Sequence, residues 1–265
     1  PLRYVIRKGF TLYRSVIKDM IQSRSILPLK VAVISRNSDS LEDNYLDPYN
    51  TFDQLMDLAD DLNQEFQFNF ISIARNKYDG IGYLEYKFVL ELLKRIIGRN
   101  HKVGLHGSYD GVYSKKLLLA EAQRLRDKIN EISPSYPLVS ARSHFLRCDV
   151  PNFLWRYHEA GIKEDSTLGW AETYGFRCGT SRPFKLFDLN LGCTIPVVEF
   201  PLICMDRTIF YSGYLGKQEF EDTMKEILQL KEFCFKAEGK FSLLWHNCNL
   251  MSQRQNTALE SILRI

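Results

Sequence analysis

Short apolar runs alternate with longer amphipathic segments along most of the chain. Residues 66–73 (FQFNFISI) alternate apolar and polar positions with a period of two, which predicts a strand. Residues 84–98 then carry apolar side chains at helical spacing and end at Gly98, which predicts a helix. The same patterns predict further strands at 102–106, 138–145, 196–203 and 240–246, and helices at about 114–132, 151–160, 217–237 and 255–263.

This alternation determines the expected fold class. Strands that alternate with helices indicate βαβ units and a parallel sheet. About six such units in 265 residues favour a distorted (β/α) barrel over an open sheet. No strand is followed by a GxGxxG turn, which weighs against a dinucleotide-binding fold. No repeat or linker divides the chain, so we predict a single α/β domain over residues 1–265.

The composition of the chain argues against nucleic acids and membranes as partners. The 35 basic and 32 acidic residues are interspersed, so the chain lacks the clustered basic surface that nucleic-acid binding requires. No uncharged apolar run reaches the roughly 18 residues of a membrane span, so we expect no membrane-spanning segment. The six cysteines form no CxxC pair, which favours reduced thiols and a cytoplasmic location.

Candidate chemistry gathers at the predicted strand ends. His106, His144 and His246 each close a strand, and in a (β/α) barrel such ends meet at one mouth. Arg142 lies two residues before His144, so both side chains point to the same face of the strand. Asp110 follows His106 by four residues, and the two suit a shared zinc or other divalent ion. Asp110 before Gly111 is also an ordinary turn.

A second group of polar residues lies in the block GFRCGTSR at 175–182. Arg177 and Arg182 flank its Gly-Thr pair and suit an anionic sugar or a phosphate. Pairing of both arginines with neighbouring carboxylates is an equally good interpretation.

A series of blocks then resembles one branch of the NodB-like polysaccharide deacetylases, which is found with O-antigen or capsule biosynthesis. The resemblance runs from about Asp47 to the C-terminus. The blocks are HGSYD (106–110), RSHFLRCDVP (142–151), EAGIKEDSTLGWA (159–171), GFRCGTSRPF (175–184), FPLICMD (200–206) and LLWHN (243–247).

The resemblance implies metal-dependent hydrolysis of N-acetyl groups on a sugar, with zinc as the expected metal. His106 matches the first metal ligand, and His246 matches the general acid that protonates the leaving amine. Arg142 matches the arginine that orients the catalytic base, and Asp165 is similar to a residue that supports the far side of the site. Asp110 and His144 are the remaining candidate ligands. The predicted substrate contacts are Tyr109, Arg177 and Arg182.

Two departures from the family pattern keep alternatives open. The second histidine of the metal motif is Asp110 here, so either Asp110 or His144 takes that role, or the metal site is weakened. The aspartate pair expected at the end of the first strand is also missing. Thr51-Phe52-Asp53 mimics it, but Asn50 or Thr51 there reads as the cap of a helix.

Truncation is the simplest explanation for the missing pair, which would place the aspartates and the first strand upstream of Pro1. A less favoured hypothesis makes Val31–Ser35 the first strand, with Asp39 or Asp43 as the carboxylate. If the base is truly lost, the protein is a non-catalytic glycan-binding relative. Another metal-assisted amidohydrolase or a glycoside hydrolase is the remaining rival, the latter with Asp165 and Asp206 as its two carboxylates.

Overall fold

A computed structural model describes residues 2–7, 9–210 and 219–264, and its main feature is a six-stranded sheet. The strand order is β1-β2-β3-β4-β6-β5, with every neighbouring pair parallel except β5 and β6. The strands are β1 (Gln67–Phe70), β2 (Lys102–Gly107), β3 (Ser140–Ser143), β4 (Glu164–Asp165), β5 (Phe184–Asp188) and β6 (Cys193–Glu199).

A second sheet continues from the first. It pairs β7 (Leu202–Met205) with β8 (Ser242–Leu244) in parallel, and β7 begins shortly after β6 ends at Glu199. Both sheets border one cavity. Across the part of the chain that the structure describes, hydrogen bonds between strands form these two sheets and no closed ring. The predicted α/β class with a parallel sheet is therefore confirmed, whereas closure into a barrel is not.

The helices cover the sheet because their apolar positions fall on one face. In α4 the buried side chains recur at one- and four-residue steps, from Phe88 and Val89 to Leu92, Leu93 and Ile96. None of the described helices is long and apolar enough to cross a membrane. The helices are α1 (Gly9–Ser23), α2 (Leu27–Asn37), α3 (Phe52–Asp61), α4 (Lys87–Gly98), α5 (Lys115–Asn130), α6 (Asn152–Glu159), α7 (Asp206–Phe210), α8 (Phe220–Lys236) and α9 (Gln253–Arg264).

Two predictions about the first half of the chain can now be judged. Val31–Ser35 lies inside the helix α2, so the hypothesis that it forms the first strand is wrong. Its apolar residues instead pack at helical spacing, with Val31 and Ala32 buried together. The segment after Asn50 does start a helix, because α3 begins at Phe52 with Thr51 as its N-cap residue.

The second half of the chain differs from prediction in several places. The single strand expected at 196–203 is two strands, separated at Phe200 and Pro201, where the proline removes a backbone donor. The helix expected at 217–237 begins at Phe220, and residues 217 and 218 lie outside the described residues. The edge strand β5 was not predicted at all.

Candidate functional site

A cavity of about 760 Å³ runs between the two sheets and reaches the C-terminal ends of β2, β3, β4 and β8. Side chains of the kinds that carry proton transfer and metal binding line it. All three histidines predicted to converge reach this cavity, together with Arg142 and Asp165. The convergence expected from strand ends is thus found in the structure.

The three histidines share one feature, which is that the Nδ1 atom of each ring contacts an oxygen acceptor. Because a carbonyl or a carboxylate oxygen only accepts, Nδ1 carries the hydrogen and the lone pair of a neutral ring lies on Nε2. The contacts join His106 to the Arg142 carbonyl at 2.8 Å, His144 to Asp79 Oδ1 at 3.1 Å, and His246 to Asp206 Oδ1 at 2.8 Å.

His106 and His144 form a close pair on neighbouring strands. Their ring centroids lie 4.9 Å apart and their planes make an angle of 62°. Burial, together with the neighbouring His144, lowers the pKa of His106 to about 3. Burial also lowers the pKa of His144, against the opposing effect of the Asp79 carboxylate. Both rings are therefore neutral near pH 7, which is the protonation state in which a histidine binds a metal.

The fit of this pair to a metal ion is partial. A histidine ligand that donates its other ring N–H to an oxygen is the usual arrangement around protein-bound metals, and both rings have it. However, the described residues contain no group of three or more His, Cys, Asp or Glu that could hold an ion. The structure therefore supplies two suitable donors and not a complete coordination site.

Asp110, the predicted third ligand, lies elsewhere. Its carboxylate is exposed, accepts a hydrogen bond from Asn76 Nδ2 at 2.7 Å and lies 3.9 Å from Arg147 Nη1. It is absent from the cavity lining among the described residues. The turn after β2 curls into a short 3-10 segment at Gly111–Tyr113, with Asp110 at its N-cap. The four-residue spacing from His106 therefore does not bring the carboxylate back to the histidine.

His246 has a different environment from the other two histidines. Its partner Asp206 is fully buried at the end of β7, where α7 begins. Besides the ring, Asp206 accepts hydrogen bonds from the backbone N–H of His246 at 2.7 Å and from Asn249 Nδ2 at 2.8 Å. A buried carboxylate on Nδ1 holds the ring in one tautomer and one orientation. This arrangement suits a general acid, and it occupies Asp206, which the glycosidase hypothesis used as a separate catalytic group.

Arg142 and Asp165 form the polar floor of the cavity. Arg142 donates from Nε to the Ser166 carbonyl at 2.9 Å and to the Ser166 hydroxyl at 3.0 Å. Burial lowers the pKa of Arg142 to about 10, so the guanidinium remains charged near pH 7. Asp165 accepts from the hydroxyl and the backbone N–H of Thr167 at 2.7 and 3.0 Å. Thr167 in turn accepts from the backbone of Ser143 at 2.9 Å, which ties β4 to the end of β3.

Beside Asp165 lies Glu199 on the neighbouring strand. Burial raises the pKa of Glu199 well above its usual range, and the negative charge of Asp165 raises it further. Burial also raises the pKa of Asp165 itself. The pair therefore holds a proton near pH 7. Sequence patterns did not identify Glu199, because its only cue is the parallel register that places it opposite Asp165.

Asp79 is the functional candidate that the sequence analysis missed. It is buried in the loop after β1, lines the cavity, and accepts from the Tyr109 backbone N–H at 2.7 Å as well as contacting His144. Its second oxygen, Oδ2, has no hydrogen-bond partner among the described residues. The available signal was an acidic residue in a loop at the C-terminal side of a predicted strand, but Asp79-Gly80 also reads as an ordinary turn.

The predicted substrate contacts are scattered. Arg177 and Arg182 are exposed and do not line the cavity in the described structure. Arg177 donates to the Gly169 carbonyl at 2.8 Å, and Arg182 pairs with Glu238 at 3.1 Å. Arg182 therefore pairs with a carboxylate, as the alternative interpretation expected, whereas Arg177 contacts a backbone carbonyl. Tyr109 stays near the histidines, because its backbone N–H binds Asp79.

Comparisons with known proteins bear on the fold. No family model and no curated protein matches the chain. A crystal structure from Mycobacterium smegmatis, described as that of a candidate polysaccharide deacetylase, is 13% identical with a TM-score of 0.58, over 96% of this chain and 78% of the other. The resemblance to the polysaccharide deacetylases therefore holds at the level of the fold. At this identity the similarity shows the architecture alone.

Two other solved structures are similar over a smaller share of the chain. One is a candidate polysaccharide deacetylase involved in O-antigen biosynthesis from Bordetella bronchiseptica, 16% identical with a TM-score of 0.41, over 81% of this chain and 74% of the other. The second is a 4-alpha-glucanotransferase from Thermococcus litoralis, 15% identical with a TM-score of 0.46, over 80% of this chain and 32% of the other.

Proposed function

We propose that this protein is a metal-dependent deacetylase that removes N-acetyl groups from a sugar in surface-polysaccharide biosynthesis. The observation that carries the proposal is the set of three cavity-lining histidines, each with Nδ1 bonded to an acceptor. The polysaccharide deacetylase fold and the sequence blocks around His106, Arg142 and His246 support the same chemistry. We also propose that the two sheets belong to one distorted barrel around the cavity.

Each side chain of the site has a separate role in amide hydrolysis. We assign His106 and His144 as ligands of a divalent ion, zinc in the first instance. Both rings are neutral, and the hydrogen bonds described above use Nδ1 and leave Nε2 for the ion. A bound ion would polarise the amide carbonyl and increase the acidity of a water molecule. His246, held by Asp206, gives a proton to the departing amine. Arg142 contributes a fixed positive charge to the cavity, which attracts a catalytic carboxylate or the developing oxyanion.

A non-catalytic glycan-binding protein is the second candidate function. It is favoured by one observation, which is that the described residues do not form a complete metal site. The two functions differ in chemistry, because an enzyme releases acetate from an N-acetylated oligosaccharide and a binding protein only retains it.

The first experiment is to measure bound metal per chain by elemental analysis in the parent protein, His106→Ala and His158→Ala. His158 is an exposed histidine on α6, outside the cavity lining, and serves as the matched control. We expect near-stoichiometric metal that is lost only in His106→Ala. His246→Ala should retain the metal and lose acetate release from N-acetylglucosamine oligomers. Absence of metal in all proteins after reconstitution would contradict metal dependence, and oligomer binding without acetate release would favour the second candidate.

A further inference from the structure

Three aromatic side chains form a shelf at the mouth of the cavity, and each comes from the loop after a different strand. Tyr78 follows β1, Tyr109 follows β2, and Phe145 follows β3. Tyr78 and Tyr109 stack with centroids 4.3 Å apart, and Phe145 meets them edge-on at 5.9 and 5.6 Å. We call these three residues the aromatic shelf. Tyr78 also lines the cavity, so the shelf and the histidines belong to one continuous surface.

Phe145 occupies an unfavourable position for a phenylalanine. Its backbone lies in the left-handed region, with φ 58° and ψ 20°, where a bulky side chain is rare. Its ring is nevertheless 53% exposed, so burial in a core does not offset the conformational cost. The strained backbone places the ring 4.6 Å from the His144 ring, centroid to centroid. Strain of this kind at a cavity mouth indicates that the exposed ring has a use there.

Contacts within the protein hold the shelf in position without a ligand. The Arg147 guanidinium lies 3.6 Å from the centroid of Tyr109, and Tyr78 stacks on the same ring. The backbone N–H groups of Tyr109 and Tyr78 are fixed by Asp79 at 2.7 Å and by Asn76 at 2.8 Å. A rigid aromatic surface loses little entropy when a ligand binds, which raises affinity.

We propose that the aromatic shelf is a sugar-binding subsite, on which a pyranose ring of an N-acetylated glycan stacks on Phe145 and contacts Tyr78 at its side. The inference rests on the proposed function, because it places the acetamido group of the adjoining sugar in the cavity beside His144. A pyranose ring has an apolar C–H face and a polar rim, which matches an exposed aromatic ring with water around it. The shelf thus selects an oligosaccharide over a single sugar, since one ring occupies the cavity and the next occupies the shelf.

The test measures binding of N-acetylglucosamine and of its β-1,4-linked oligomers, up to five units, by calorimetry. The variants are Phe145→Gly and Tyr78→Ala, and the control is Phe187→Ala, an exposed phenylalanine on the edge strand β5. We expect the affinity for the longer oligomers to fall at least about tenfold in both shelf variants, equivalent to about 1.4 kcal/mol, and to stay unchanged in the control. Affinity for the monosaccharide should not change.

Phe145→Gly also separates binding from folding. Glycine adopts positive φ without the steric cost, so the variant should unfold at the same or a higher temperature while it loses oligomer affinity. A loss of stability and affinity together would point to a structural role and overturn the subsite. The same conclusion would follow from a parent protein that binds no oligomer, or from unchanged affinity in Phe145→Gly.

Failure of the proposed function would give a different result. If the parent protein binds oligomers through the shelf and releases no acetate, the subsite stands and the deacetylase proposal fails. If acetate is released and the KM for the pentamer is the same in Phe145→Gly as in the parent protein, the deacetylase proposal stands and the subsite fails.

Discussion

Glu121 on α5 is expected to make the stability of the protein depend on pH between about 4.5 and 7. Its carboxyl group is buried beneath the turn that follows β2, where it accepts from the Ser108 backbone N–H at 3.1 Å and contacts the Ser108 hydroxyl. Burial raises the pKa of Glu121 from 4.5 to about 7, against the lowering effect of these hydrogen bonds. The group is therefore neutral in the folded protein at a pH where it is ionised in the unfolded chain.

The size of the effect follows from the two pKa values. Between 4.5 and 7 the folded protein retains a proton that the unfolded chain has lost, so the free energy of unfolding falls as pH rises. The loss is about 1.4 kcal/mol per pH unit across this window and reaches about 3 kcal/mol at pH 8. Glu121→Gln has nearly the shape of the neutral acid, keeps one carbonyl acceptor and does not titrate. The variant should match the parent protein near pH 4.5 and exceed its stability by about 3 kcal/mol at pH 8.

Urea unfolding of both proteins at pH 5, 6, 7 and 8 measures this difference directly, provided that the slope m stays the same. Asp127→Asn is the matched control, because Asp127 is an exposed carboxylate on the same helix that accepts a hydrogen bond from Gln123. Its stability difference from the parent protein should not change with pH. Parallel pH profiles for Glu121→Gln and the parent protein would refute the assignment of a raised pKa to Glu121.

Three further predictions concern Asp206, Asp79 and Gly107. Asp206→Asn should lower kcat for acetate release by on the order of 100- to 10,000-fold and leave KM unchanged, because it removes the charge that supports His246; a kcat within twofold would exclude the proposed acid. Asp79→Ala should weaken metal binding by about 10- to 100-fold, whereas Asp110→Ala should leave it unchanged. Equal losses of metal affinity in the two variants would indicate that Asp110 is a ligand. Gly107→Ala should lower the free energy of unfolding by about 1–3 kcal/mol, because a Cβ there lies 2.6 Å from the Tyr157 hydroxyl. Adding Tyr157→Phe should recover part of that loss, and additive effects of the two substitutions would refute the clash.

The parts of the fold that sequence predicts well are those set by local periodicity. The helix expected at about 114–132 is α5, and the side chain of Ser114 caps it by accepting from the Leu117 N–H. The strand expected at 102–106 is β2 within one residue. By contrast, the edge strand β5 (FKLFD) leaves Phe187 exposed, so it lacks the apolar contrast that marks a half-buried strand.

The sequence predicted the histidines of the candidate site but not the carboxylates that hold them, and the reason is physical. A histidine at a strand end is visible in the sequence, and the parallel arrangement brings such ends together. The carboxylates that hold the rings lie 65 residues from His144 and 40 residues from His246. These pairs depend on how separate loops return to the cavity, which no local pattern encodes. Asp206 was noticed only as a glycosidase candidate, and Asp79 was not noticed at all.

The acceptors on Nδ1 give each histidine a different chemical character. Burial and the neighbouring His144 keep the His106 ring neutral against the weaker opposing effect of the Arg142 carbonyl, which suits the ring to a metal. The buried carboxylate behind His246 fixes the orientation of that ring, which suits a proton donor. His144 combines a carboxylate partner with burial that lowers its pKa, so it can serve as a ligand whose basicity Asp79 increases. One ring geometry, repeated at three strand ends, therefore supplies both functions that the deacetylase proposal requires.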